Sequence, residues 1–195
     1  MSEEDTTPES PDTDDTETSL FTARLALEPV RSEHAALLFT ALQDPRLYTY
    51  IPDDPPASLE ALKDRYRRWE RRSSADGREV WLNWAARLRA NDEWVGTFQA
   101  TIMEAQRALL AYMIFPPYQR QGFAREGCQR VIEHLADRYG AEVVAAEIDT
   151  RNTRSIALVE SLGFRLVATT HGADTFKGAL SDEHRFERVV GMGEL

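Results

Sequence analysis

Residues 108–115 read ALLAYMIF, with no charged side chain, and Pro116-Pro117 follows at once. A run of this kind does not alternate, so it predicts a central strand buried on both faces rather than one with a solvated side. A doubly buried strand needs a layer above and a layer below, which already points to an α/β architecture. The two prolines end the strand, because neither can donate to a ladder. Next comes Gln119-Arg120-Gln121-Gly122-Phe123-Ala124, and then a helical stripe of Cys128, Val131, Ile132, Leu135 and Tyr139 that stops at Gly140. Strand, glycine loop and helix together make an anion site on elementary grounds. The first turn of a helix has N–H groups without partners, and its dipole puts partial positive charge there. Gly122 lets the backbone approach an anion closely, and the small Ala124 avoids a clash. A pyrophosphate fits, with Arg120 or Arg125 adding charge-assisted bonds. A glycine before a helix also serves simply as a turn. The patterns G-x-x-x-x-G-K-[ST] and G-x-G-x-x-G are both absent.

The rest of the chain has enough material to enclose such a strand. Its 195 residues suit one domain with a full core. The formal charge of −10 is unevenly spread: residues 1–19 hold eight of the 33 acidic residues and no Lys or Arg, which leaves 25 acids against 23 bases, a net of −2. Residues 1–19 are therefore expected to be a disordered acidic tail, and residues 20–195 the folded domain. A near-neutral domain without zinc-finger spacing, or a basic run interleaved with aromatics, gives no support to nucleic-acid binding. No apolar run is long enough to span a membrane, and no basic n-region precedes an apolar stretch, so a cytoplasmic protein is expected. Cys128 is the only cysteine. It excludes an internal disulfide or a cysteine-rich zinc site, and its place on the helix stripe reads as core. No metal is expected.

Periodicity supplies the other elements. Leu20–Val30 suits a first strand ending at Pro29, and Ser32 is a candidate N-cap for a helix bearing Ala35, Leu38 and Leu42. Ser58 heads a second helix with Leu59, Leu62, Tyr66 and Trp69 on one stripe. Its other face holds Lys63, Arg65, Arg67, Arg68, Arg71 and Arg72, read as a solvated face partly paired by Glu60, Asp64 and Glu70. Strands are expected at Val80–Leu88, Trp94–Met103 and Val143–Ile148, a helix over Asn152–Leu162 closed by Gly163, and final strands near Arg165–Thr170 and Arg185–Val190.

Two segments carry a family resemblance. The pattern Q-x-x-G-x-A of Gln119, Gly122 and Ala124 resembles motif A of the GNAT superfamily of N-acetyltransferases. Residues 147–164, EIDTRNTRSIALVESLGF, resemble its motif B through Asn152, Ser155, Leu162, Gly163 and Phe164. The order and separation are those of the superfamily, and the likeness spans about Leu20 to Val190. Within it the chain looks most like the RimJ/RimL-like (ribosomal-protein-alanine acetyltransferase) branch. Asn152 and Gly163 also suit helix caps, which does not compete with a cofactor role.

The resemblance implies a mixed, mostly antiparallel sheet of about seven strands flanked by helices, with a V-shaped splay between two central strands. It implies acetyl-CoA as co-substrate, with no metal and no covalent intermediate. Tyr112, Met113, Ile114 and Phe115 would bond the pantetheine and acetyl group, Gln119, Arg120, Gln121, Gly122, Phe123, Ala124 and Arg125 the pyrophosphate, and Asn152 and Ser155 would complete the cofactor set. Many relatives carry on the motif B helix a Tyr that donates to the departing thiolate; that position here is Val159, and Ser155 matches the serine of the RimJ/RimL-like branch. A solvent-facing helix residue is the other reading of Ser155. Glu104, Glu147, His171 or a water chain would take the amine proton. Glu147 stands in an otherwise apolar strand, where burial would raise its pKa, although a paired structural role also fits. The acceptor is expected to be a primary amine, either a protein N-terminus or a small molecule, with specificity elements in residues 47–74 and near 171–184. A non-catalytic acyl-CoA sensor is the alternative, and the chain is expected to be a monomer or homodimer.

Overall fold

The structure, a computed structural model, describes residues 18–191. The acidic tail expected over 1–19 lies outside them as far as residue 17; the Thr18 carbonyl already accepts a bond from Trp84 Nε1 at 3.1 Å. Eight strands form one open sheet in the order β1-β2-β3-β4-β5-β6-β8-β7. They are β1 (Leu20–Phe21), β2 (Leu25–Pro29), β3 (Val80–Leu88), β4 (Trp94–Met103), β5 (Arg107–Ile114), β6 (Val143–Asp149), β7 (Arg165–Phe176) and β8 (Ala179–Val189). Every pairing is antiparallel except that of β5 with β6. The helices are α1 (His34–Leu38), α2 (Leu59–Trp69), α3 (Phe123–Tyr139) and α4 (Thr153–Ser161).

The single first strand expected at 20–30 is two. Thr22 Oγ1 accepts from the Leu25 and Arg24 amides at 2.8 and 3.3 Å, which turns the chain back so that Leu20 faces Leu27. Ser32 does not cap α1, which has no side-chain cap and gives way to 3₁₀ turns at Ala41–Gln43 and Pro45–Tyr48. Ala35, Leu38 and Leu42 are nevertheless buried, as their spacing requires. Ser58 does cap α2, through Ala61 N at 3.1 Å. The basic face of α2 is mostly paired: Lys63 with Glu60, Arg67 with Asp64, and Arg65 with Asp53. Arg72 departs from that face and is buried, donating to the Val30 carbonyl at 3.1 Å. The closing hairpin is much longer than expected, because β7 and β8 extend through 171–184.

The larger core lies on the α3 face of the sheet, where Phe98, Leu110, Val144, Ile148 and Phe186 meet Cys128, Val131, Ile132, Leu135 and Val159. A smaller one, around Val30, Leu38, Leu62, Tyr66, Ala85 and Phe115, carries α1 and α2 on the opposite face. Gly127 sets the height of α3 above the sheet, since a Cβ there would meet the Phe98 ring at 2.1 Å. The Gly127→Ala substitution is expected to destabilise by about 1–3 kcal/mol through overpacking. Thermal unfolding should register that as a fall of several degrees in Tm.

Candidate active site

β5 and β6 pair only at Arg107–Val143, Ala108–Val144 and Leu109–Ala145. Beyond Leu109, β5 follows β4 to Ile114, and beyond Ala145, β6 follows β8 to Asp149. The V-shaped gap expected between two central strands lies here, lined by backbone N–H and C=O groups that no neighbouring strand meets. The expectation that 108–115 is buried on both faces fails in the same place. Ala108, Leu110 and Ile114 are buried beneath α3, while Ala111 is exposed and Leu109, Tyr112 and Met113 are half-buried. A continuous apolar run can therefore belong to a strand with one open face. Phe115 is buried, and its amide donates to the Val95 carbonyl at 2.8 Å.

At the end of the gap the chain turns through the glycine loop. Gln119 Nε2 donates to the Ile114 carbonyl at 2.9 Å, tying the loop to β5. Gln121 Nε2 donates to the Pro117 carbonyl at 3.0 Å. Arg120 and Gly122 both have positive φ, 63° and 83°, and Gly122 is the N-cap of α3. Glycine has no capping side chain, in contrast to Ser58 of α2 and Asn152 of α4. The first-turn N–H groups of α3 consequently face outward without a side-chain acceptor, the donor set that a phosphate requires. Phe123 is buried beneath the Arg24 guanidinium, 4.4 Å from its centroid, and Ala124 is half-buried. Arg24 also donates to the Gln121 carbonyl at 3.0 Å and pairs with Glu126 at 2.6 Å. Burial pushes the Glu126 carboxyl up, but bonds from Thr22 and Arg24 outweigh it and hold the pKa below the ordinary value. Arg125 is exposed in a groove with Arg24, Gly122 and Arg130.

The opposite wall of the gap is α4. Asn152 Oδ1 accepts from the Ser155 amide at 3.2 Å, so Asn152 is a cap, as its type suggested. Ser155 turns toward β5, with Tyr112 Oη 3.0 Å from its Oγ. Gly163, at φ 84°, closes α4 as the Phe164 amide reaches the Val159 carbonyl at 3.1 Å. Val159 itself is 1% exposed and belongs to the core. Cys128 is fully buried, and burial pushes its thiol far above the ordinary range, which leaves it a core residue.

Residues 24–165 match the family described as "Acetyltransferase (GNAT) domain". The chain belongs to the GNAT family. It is 26% identical over 170 residues, 86% of this chain and 94% of the relative, to the uncharacterized N-acetyltransferase p20 of Bacillus licheniformis. Its fold is similar to that of RimL, the ribosomal L7/L12 α-N-protein acetyltransferase, in complex with coenzyme A, with a TM-score of 0.79 at 17% identity over 89% of this chain and 98% of that one. It is also similar to spermidine N-acetyltransferase from Vibrio cholerae in complex with CoA and spermine, with a TM-score of 0.74 at 16% identity over 86% and 96%. The chain is thus an acetyl-CoA-dependent acyltransferase.

Within this GNAT domain the acidic residues are not where sequence reasoning put them. The burial expected for Glu147 is absent: its side chain is 36% exposed and pairs with Arg185 at 2.6 Å. Glu183 is half-buried, and its pKa is raised by burial and by neighbouring Glu147 and Asp174; nothing in the sequence marked it. Glu104 lies in the exposed β4–β5 turn, at the paired end of β5 and away from the gap. His171 is exposed and meets Asp182 at 2.9 Å. The hairpin tip reaches the 3₁₀ segment after α1, where Lys177 Nζ donates to the Tyr48 and Ile51 carbonyls.

Asp149, missed in the sequence, ties the start of β8 to the loop before α4. Its side chain, 2% exposed, takes two bonds from the Arg151 guanidinium at 2.9 and 2.5 Å and one from Ser181 Oγ at 2.6 Å. The Arg151 bonds, outweighing burial, lower its pKa to about 2. A folded-state value below the unfolded one stabilises the protein above the unfolded pKa, and the gain disappears as pH falls through about 2. Asp149→Asn is expected to cost about 2 kcal/mol at neutral pH, with the gap to wild type closing between about pH 4 and pH 2 in chemical denaturation.

Proposed function

We propose that this enzyme moves an acetyl group from acetyl-CoA to a primary amine by direct attack in a ternary complex. The observation that carries this reading is the parting of β5 from β6 with Ser155 turned into the gap, beside an α3 N-terminus free of any capping side chain. When bound, acetyl-CoA supplies a thioester carbonyl that an amine attacks. The N–H groups along Gln119–Arg125, with the Arg120 and Arg125 guanidiniums at the rim, hold the pyrophosphate. The backbone of Tyr112, Met113, Ile114 and Phe115 bonds the pantetheine, and β5 amides face the carbonyl oxygen as it gains charge. The Ile114 carbonyl, already taken by Gln119, is the least available member of that set. Asn152 fixes the start of α4, and the Ser155 hydroxyl hydrogen-bonds the sulfur.

The acceptor amine enters from the other face of the sheet. Leu109 and Ala145 are the last paired positions; Ala111 and Glu147, two residues further on, lie on that open face. Glu147 remains the acceptor-side carboxylate of this reading, taking the amine proton through water, with Arg185 fixing its position. Phe176 to His184 of the hairpin arm border the same face. The match of Ser155 to the serine of the RimJ/RimL-like branch, with a fold similar to that of RimL, supports a protein N-terminus as acceptor. The likeness to a spermidine acetyltransferase supports a small polyamine instead.

Calorimetric titration of acetyl-CoA tests the cofactor site, with Gly122→Glu as control. The variant places a carboxylate against the phosphates at a position of φ 83° and is expected to abolish binding. Ser155→Ala is expected to keep binding and to lower kcat about tenfold. Thiol release with N-terminal peptides and with polyamines then separates the acceptors. A wild-type protein that does not bind acetyl-CoA overturns the proposal.

A further inference from the structure

The leaving-group side of the gap contains a second hydroxyl, on the wall facing Ser155. Tyr112 is on the α3 face of β5, opposite Phe98 of β4, and its side chain crosses the gap to α4. Its Oη lies 3.0 Å from Ser155 Oγ, the one hydrogen bond the Ser155 hydroxyl makes among the described residues. A helical serine commonly turns its hydroxyl back on its own helix. Ser161 of α4 does so, donating to the Leu158 carbonyl at 2.7 Å, whereas Ser155 does not. The Ser155 amide is meanwhile taken by Asn152 Oδ1. Backbone and side chain of Ser155 are therefore each held by a separate partner.

Resting on the reading that Ser155 contacts the sulfur, we propose that Tyr112 is a positioning residue: its phenol donates to Ser155 Oγ and turns the Ser155 O–H toward the cofactor sulfur. A hydroxyl that accepts one bond is polarised into a stronger donor of its own. The phenol serves in this way because it does not ionise. Burial pushes its pKa above the ordinary tyrosine value, so it stays a protonated donor at any working pH. Tyr112 is consequently not the acid. When the carbon–sulfur bond breaks, the electron pair goes to sulfur, the Ser155 hydroxyl stabilises it by hydrogen bonding, and the proton that later neutralises it comes from water. The core position of Val159 explains the arrangement: α4 cannot supply a phenol from there, and β5 supplies one from across the gap.

The test uses free coenzyme A bound to the whole protein, with the ultraviolet absorbance of the thiolate followed against pH. Wild type is expected to lower the bound thiol's pKa below that of coenzyme A in solution. Ser155→Ala and Tyr112→Phe should each raise it by about one unit, with no further rise in the double variant. In turnover, Tyr112→Phe should lower kcat about tenfold at unchanged KM for acetyl-CoA, and do nothing more in the Ser155→Ala background. Ser155→Thr, which keeps the hydroxyl, should retain most of the wild-type shift. Tyr112→3-fluorotyrosine, a stronger donor of nearly the same size, should lower the bound thiol's pKa further, which keeps the test open if the Phe variant folds poorly. A thiol that titrates alike in wild type and Tyr112→Phe but higher in Ser155→Ala overturns the role of Tyr112. A thiol unaffected by Ser155→Ala overturns instead the placement of Ser155 at the sulfur.

Discussion

The parting of β5 from β6 is the constraint to which the remaining structure answers. Two strands at the centre of a sheet would ordinarily complete their ladder, and each buried amide left without a partner costs about 1–3 kcal/mol. Across the gap each strand follows its outer neighbour, β5 with β4 as far as Ile114 and β6 with β8 as far as Asp149, so the two ladders diverge and the inner backbone groups face the gap. Pro116 and Pro117 then prevent β5 from extending, and the turn at Gly122 sends the chain into α3. The contact of Gly127 with Phe98 holds α3 low over β4, so its unprotected N-terminus stays beside the mouth of the gap.

The two faces of the gap differ in kind. On the α3 face, apolar packing is continuous from Phe98 through Cys128 to Val159, and beside the gap Tyr112 and Ser155 are matched to each other. On the other face the α1 and α2 cluster reaches from β2 and β3 to Trp94 and Phe115, and the surface beyond Ala111 carries charge. There Arg185 lies between Glu147 and Glu187, and Asp149 joins Arg151 and Ser181. On the function proposed above, the thioester would lie in the first environment and the cationic amine in the second, since desolvation disfavours charge and neighbouring carboxylates favour a cation. The arm formed by β7 and β8 closes this second face by reaching Tyr48 and Ile51, so the two segments expected to carry specificity meet each other.

What could be read from the sequence depends mostly on local chemistry, although Ser32, a cap by type, does not cap α1. Gly122 and Ala124 ahead of a helical stripe, Ser58 and Asn152 as caps, and Gly163 as a terminator each act over a few residues, and each stands where its type required. What could not be read depends on packing between distant segments. Glu147 looked buried because its strand neighbours are apolar, yet the side chain emerges, 36% exposed, on the sheet face opposite α3. Ala111 looked buried for the same reason. The first strand divides because Thr22 binds its own turn, and because Glu126, more than a hundred residues on, holds that turn in place. Asp149 and Glu183 gave no signal, since one owes its state to Arg151 and Ser181 and the other to burial beside Glu147. The hairpin arm was hidden by polar composition, as β7 is exposed along nearly its whole length and lacks the apolar alternation that reveals a half-buried strand.

The hydroxyl pair ties the last of these features to the first. A donor carried on α4 alone would be placed by that helix whatever the width of the gap. Tyr112 on β5 and Ser155 on α4 meet only when the two walls stand at the separation set by the outer ladders, because their contact spans the gap. Orientation of the serine is thus a property of the divergence itself, because the bond to Tyr112 spans both walls. Such dependence suits a group whose hydrogen bond is useful only in one direction, since misplacement by about an ångström can cost two orders of magnitude in rate. The phenol that burial keeps protonated is a fixed strut in this arrangement, and the serine it holds is, among the described residues, the only polar side chain of α4 bonded across the gap.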